Sequence, residues 1–271
     1  MLAVVFDSLD RIQHMFWRDR PDIIERWYTK LDTLVGDVEQ RLRSQEQEDT
    51  RIVIISDHGF ADFDYKVHLN HWLVENGYLN THQQSSQGSL KDAHWGETKA
   101  YSIGLNSLYL NLEGRESQGI VPVAERDILL SELKEELENW RSPDQKLIVQ
   151  NAYINKDTFE GPLSQYGPDL VIGWSSGYRA SQKTGLGEWD DVDIEPNNDH
   201  WGADHCIDPQ IVPGVIFTNH DLKNFPSPSY RDIPNIAIDA EPDDSEVGAP
   251  PIMSNKDDAD VEERLKSLGY L

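Results

Sequence analysis

Apolar positions along this chain follow two periods. Across residues 22–42, Ile23, Ile24, Trp27, Leu31, Leu34, Val35, Val38 and Leu42 repeat at helical spacing, and Pro21 sits where a helix begins. Residues 2–6 form a short apolar run and residues 51–56 (RIVIIS) are rich in β-branched side chains, and both predict buried strands. Residues 68–76 read as a short helix stopped by Gly77, and 124–140 as an amphipathic helix. Strands are expected at 107–112, 169–174 and 215–217, with a terminal helix at 261–268 ending at Gly269. Residues 83–88 read as a polar loop. Residues 175–198, rich in Gly, Ser and Asp, read as a long surface excursion. No internal repeat is evident. Strands that alternate with helices and are apolar on both faces predict an α/β fold. The expected form is a three-layer α/β/α sandwich around a mostly parallel central sheet.

A chain of 271 residues is long enough to bury a sizeable core. Its charge changes the picture more than its length. Against 49 carboxylates stand 24 Lys and Arg, a net charge of −25. Such a surface repels nucleic acid and anionic membranes, so neither is an expected partner. It would also repel a small phosphorylated substrate unless bound divalent cations reverse the local sign. The acidic stretch from residue 239 onward reads as a solvated tail carrying the terminal helix. Cys206, the single cysteine, has no internal partner, which favours a reducing compartment such as the cytoplasm. No apolar run approaches the ~20 residues of a membrane span, and MLAVVFDSLD lacks the basic start of a signal peptide.

Three segments carry candidate chemistry. Ser56-Asp57-His58-Gly59 closes a predicted strand, and ligands bind beyond the carboxyl ends of strands in parallel sheets. A carboxylate beside an imidazole suits zinc or manganese, although an isolated Asp-His-Gly is more often a plain turn. Asp10 and His14, after the first predicted strand, share one face if that segment is helical. Asp204-His205-Cys206-Ile207-Asp208 precedes the strand at 215–217, and His200 competes with His205. Each motif alone is weak, but together they offer most of the ligands for two metal sites.

In their order, these segments resemble the type I phosphodiesterase/nucleotide pyrophosphatase family of the alkaline phosphatase superfamily. The stretches DRIQHMFWR, VHLNHWLVENGYL, TKAYSIGLNSLYLNLEGRESQGIV, YGPDLVIGW, DHCIDPQIVPGVIF and ERLKSLGYL extend the likeness over nearly the whole chain. They are similar to a branch of predicted phosphohydrolases and phosphomutases. The resemblance implies that Asp10, His14 and His205 hold one metal, and Asp57 and His58 the other. His205-x-x-Asp208 resembles the family's His-Gly-Tyr-Asp, which selects His205 over His200. It implies an alkaline phosphatase-like metallohydrolase domain over residues 1–238, with residues 239–271 as the tail. Two divalent ions are implied, zinc favoured over manganese, acting on a small phosphorylated substrate.

The same family carries a Thr or Ser nucleophile and a further metal-binding Asp on strands before the Asp-x-x-x-His pair. Here that pair begins at residue 10, and Ser8 and Ser56 do not match the nucleophile's place. The expectation is therefore a chain without its own nucleophile, lacking N-terminal strands and inactive alone: a fragment, an internal start, or one half of a split protein whose missing segment is a separate chain. Phosphodiester or pyrophosphate hydrolysis is the leading reading. The rivals are a phosphomutase, a sulfatase-like enzyme of the same superfamily and a catalytically silent metal-binding fragment. Arg115, Asn70 and His71 are read as structural.

Overall fold

The computed structural model describes residues 1–47, 49–81, 87–238 and 240. Helices α1 (Ser8–Phe16) and α2 (Pro21–Ser44) come first. Strand β1 (Val53–Ile55) leads through the Asp57-His58 turn into β2 (Ala61–Val67), which is followed by α3 (Leu69–Glu75). Next come β3 (Gly88–Ser89), β4 (Ala100–Ser102), β5 (Ser107–Leu110), α4 (Arg126–Asn139) and β6 (Val149–Ile154). The segment α5 (Asn155–Thr158), β7 (Leu170–Trp174), β8 (Gly177–Ala180), α6 (Gln182–Gly185), β9 (Glu188–Trp189) and β10 (Ile194–Pro196) follows. β11 (Ala203–Asp204), β12 (Ile216–Thr218) and α7 (Ile233–Ile238) complete the order.

The fold is mixed α/β, but its strands form several small sheets. One has the order β4-β5-β7-β6 and is antiparallel throughout. In another, β2 pairs with β8, β10 and β11, and only β2–β8 is parallel. β1–β12 and β3–β9 are two-stranded antiparallel ribbons. Among the described residues, the mostly parallel central sheet expected from the sequence is not formed. The physical reason is local. Among the described residues, the apolar run at 2–6 takes no strand pairing and stays exposed, and β1 pairs with β12 alone.

The core lies between the β4-β5-β7-β6 sheet and α4. Leu129, Leu130, Leu133 and Leu137 recur along one helical stripe and are buried against Ala152, Ile172 and Trp174 of the sheet. Asp169 ties this unit together. Its side chain is fully buried, and it accepts from the backbone N–H of Leu110 (2.8 Å), Arg115 (2.6 Å) and Arg126 (3.0 Å). Arg115 is thus structural, and so is Asn70, whose amide clips both backbone groups of Ser102 at 2.8 Å.

The helix expected at 22–42 is present, two residues longer at its C-terminal end, and its apolar stripe is only half covered. No residue of α2 is buried, while Leu34 and Val38 are exposed. Ile54 and Ile55 of β1, Phe217 of β12, Val215 and Leu2 to Phe6 are likewise partly or largely exposed, so the buried-strand expectation fails for both apolar runs. The expected surface excursion at 175–198 is instead largely structured. It supplies β8, β9, β10 and α6, and Tyr178, Arg179, Ala180, Thr184 and Trp189 are buried. The terminal helix at 261–268, most of the acidic tail and most of the 83–88 loop lie outside the described residues. No helix among the described residues is long and apolar enough to cross a membrane.

Two outcomes follow from this packing. Asp169→Ala leaves two guanidinium groups and a buried N–H without their acceptor, and should cost about 3 kcal/mol or more in urea unfolding. Burial holds the His68 imidazole below its ordinary value of 6.5, only partly offset by Glu195. The unfolded chain therefore takes up that proton first as pH falls, so folding stability drops through pH 6.5 and levels off below the folded value. His68→Gln should flatten that part of the stability profile; an unchanged slope would show that another group is responsible.

Candidate metal centre

The site is assembled by short backbone pairings. β2 follows directly on the Asp57-His58-Gly59-Phe60 turn and pairs antiparallel with β11, with Ala203 opposite Asp62 and Asp204 opposite Ala61. That register carries His205 back over His58, and the two rings stack with centroids 3.6 Å apart. Helix α1 is fixed to the same strand by two bonds. The N–H of Gly202 donates to the His14 carbonyl (3.1 Å), and His14 Nδ1 donates to the Ala203 carbonyl (2.7 Å).

Asp10, His14 and His205 meet here, with one ligand atom from each inside a 4.8 Å group. Asp10 Oδ1 lies 3.6 Å from His14 Nε2 and 3.5 Å from His205 Nε2. It is buried and has no hydrogen-bond partner among the described residues. Such an oxygen is costly in a folded protein, and a cation between the two imidazoles would satisfy it. His14 is 3 % exposed, stacked on Trp201 at 3.8 Å and edged by Phe60 at 4.7 Å. With its Nδ1 proton given to Ala203, its Nε2 lone pair faces Asp10, the arrangement of an imidazole ready to bind metal.

Asp57 and His58 form an adjoining pair outside that group of three. His58 Nδ1 donates to the Gly59 carbonyl (3.0 Å), which leaves Nε2 facing Asp57 Oδ1 at 3.6 Å. The Asp57 side chain is 88 % exposed. His200, the rival of His205, is exposed. Ser56 Oγ accepts from the N–H of Val215 (3.1 Å), so this hydroxyl serves the β1–β12 ribbon.

Electrostatics favour a neutral His205. Burial, then the facing His58 ring and His14, push His205 below the ordinary histidine value; Asp204 and Asp10 offset only part of this. Burial alone would raise the Asp204 carboxyl. Its net position is nevertheless low, because Arg179, the Cys206 N–H and Trp201 all favour the anion. Arg179 Nε lies 2.8 Å from Asp204 Oδ2 as an ion pair without hydrogen-bond alignment.

Two other groups of potential ligands are already committed. In Asp204, His205 and Cys206, Asp204 accepts from Trp201 Nε1 and from the N–H groups of His205 and Cys206, all at 2.8 Å. Burial pushes the Cys206 thiol up to about 11, far from the thiolate that binds metal. In His68, Asp190 and Glu195, His68 Nδ1 accepts from the Asp190 N–H and Nε2 donates to Glu195, each at 3.3 Å. Asp208 is structural as well. It is fully buried and accepts from Asn151 (2.8 Å), Tyr153 (2.8 Å) and the Gln210 N–H (2.9 Å), anchoring the loop after His205 to β6. A side chain at Gly173 would collide with it.

Sequence reasoning missed β2 and the Arg179–Asp204–Trp201 support. β2 had a readable signal, since Ala61, Phe63, Tyr65 and Val67 alternate with Asp62, Asp64 and Lys66. Arg179 had none, because its partner is 25 residues away.

Zinc should raise the melting temperature of the wild-type chain relative to chelator-treated protein. Asp10→Asn or His14→Gln should remove most of that rise and His200→Ala should leave it intact. An unchanged rise in Asp10→Asn would place the zinc elsewhere.

No curated protein and no solved structure matches the chain significantly. Residues 1–202 do match a known family, a span that includes four of the five residues above and stops three short of His205. By that match the chain belongs to the type I phosphodiesterase/nucleotide pyrophosphatase family of metal-dependent phosphoester hydrolases.

Proposed function

We propose that this chain is the metal-holding part of a two-metal phosphoester hydrolase acting on phosphodiesters or pyrophosphates. The observation that carries the reading is the orphaned Asp10 Oδ1 between two imidazole nitrogens. In this reading Asp10, His14 and His205 hold one divalent ion, and Asp57 and His58 hold the second. Imidazole-rich donors favour zinc over manganese. When bound, the two ions supply neutralisation of the phosphate oxygens and activation of an oxygen nucleophile.

The chain's own residues prepare that site. The bonds from His14 to Ala203 and from His58 to Gly59 fix each ring with Nε2 free. Trp201 and Phe60 keep water from His14 and lower the local dielectric. The low position of His205 keeps its ring neutral and able to donate a lone pair near pH 7. Against a net charge of −25, bound cations are also what would let a phosphate approach.

The nucleophile belongs, in this proposal, to a further polypeptide segment packed on the exposed apolar face beside the site. Ile54, Val215 and Phe217 form that face, Ile55 is exposed on the opposite face of the same ribbon, and the motif-bearing turn leaves directly from it. Uncovered apolar surface next to a polar cluster is the physical mark of an absent packing partner. A segment adding a strand to β1 would bring its side chains to the same strand end as Asp57.

The alternatives are a phosphomutase or sulfatase-like reaction on the same metal frame, or a silent metal-binding fragment. Hydrolysis of a chromogenic phosphodiester, with zinc or manganese, separates them. The 271-residue chain alone should give negligible turnover. Together with the nucleophile-bearing segment it should give metal-dependent turnover that falls at least about a hundred-fold in Asp57→Ala. Robust turnover by the chain alone would contradict the need for that segment. Metal binding without turnover in the joined protein would favour the silent fragment.

A further inference from the structure

Next to the metal cluster a cleft of about 190 Å³ is walled by residues from β2, β8, β10 and the start of α6, and from the loop that carries Asp199 and Trp201. Lys66, Gln182, Lys183, Glu195, Asp199 and Trp201 supply most of its polar wall. Two residues join the cleft to the cluster. Trp201 lines it while stacking on His14, and Arg179 lines it while pairing with Asp204, the neighbour of His205.

The charges in this wall are already answered. Lys66 Nζ lies 2.8 Å from Asp199, and Lys183 Nζ lies 2.6 and 2.7 Å from the two Asp190 oxygens. Arg179 pairs with Asp204, and Glu195 accepts from His68. A second anion in the cleft would face the Asp199, Asp190 and Glu195 carboxylates at close range. A hydroxyl group has no such difficulty, because it donates to a carboxylate and accepts from an ammonium at once. Each lysine pair has one half-exposed partner, Asp199 in one and Lys183 in the other, so each opens at a cost on the order of 1 kcal/mol. Trp201, held by His14 on one side and by Asp204 through its indole N–H, offers a rigid apolar surface for C–H groups.

We propose that this cleft seats a hydroxyl-rich group of the sugar or polyol class, esterified to the phosphate that the adjoining metal cluster receives. The assignment names the substrate class for the phosphoester reading and rests on it for the phosphate half. The cleft half is tested on its own.

Three probes are titrated into the zinc-loaded full chain by NMR: glucose 1-phosphate, methyl phosphate and the neutral methyl glucoside. Glucose 1-phosphate should bind about ten-fold tighter than methyl phosphate, the worth of two or so net hydrogen bonds. The double substitution Lys66→Met/Asp199→Asn, and separately Gln182→Ala, should remove that advantage and leave the zinc-induced rise in melting temperature unchanged. Gln182 is exposed, so its loss does not threaten folding. Equal affinity for the two phosphates, or an advantage that survives both variants, overturns the assignment. Should zinc give no stabilisation while methyl glucoside still binds and both variants abolish that binding, the phosphoester reading fails and the hydroxyl-binding cleft stands.

Discussion

The site depends on one short antiparallel pairing, β2 with β11. It spans two residues of β11, yet it decides where three distant segments meet. The register places Asp204 opposite Ala61, so the residue after β11 falls over the turn before β2. His205 then stacks on His58, and the carbonyl of Ala203 captures the ring of His14 from α1. A one-residue slip would turn Asp204 outward and replace a buried ion pair with an unpaired charge. Register and electrostatics therefore enforce each other.

Asp204 is the second half of that constraint. It is 1 % exposed and engaged by Arg179, Trp201 and two backbone N–H groups. Such a buried anion does little for net stability compared with an apolar substitute, but it tolerates only one arrangement of its neighbours. It holds Trp201 against His14 and fixes the backbone of His205 and Cys206. The residues that face the cluster are thus positioned by a carboxylate that is itself unavailable as a ligand.

The legible part of this protein was the part written in local pattern. The helical stripe of α2, the Gly77 stop after α3 (φ 74°) and the leucine stripe of α4 all follow from spacing alone. The candidate site was legible as residue types: the structure brings Asp10, His14 and His205 into one group, with His58 stacked on it and Asp57 beside His58. Sheet organisation was not legible. The apolar segments at 2–6 and 51–56 read as inner strands, yet in the described fold the first takes no strand partner and the second takes only the short β12, so both stay largely uncovered. The 175–198 segment misled in the opposite sense. Its Gly and Ser content suggested a loop, whereas Gly177, at φ 88°, starts a strand packed on β2. Composition reports local freedom, and tertiary pairing overrode it.

The claim on which everything rests is that Asp10, His14 and His205 hold a divalent cation. Anomalous diffraction at the zinc edge, from zinc-soaked crystals of the chain, tests it without recourse to activity. The account predicts a peak between Asp10 Oδ1, His14 Nε2 and His205 Nε2, with zinc–nitrogen distances of about 2.0–2.1 Å. A peak at His68 and Glu195 instead, or no ordered peak in a crystal with the same fold, would contradict it.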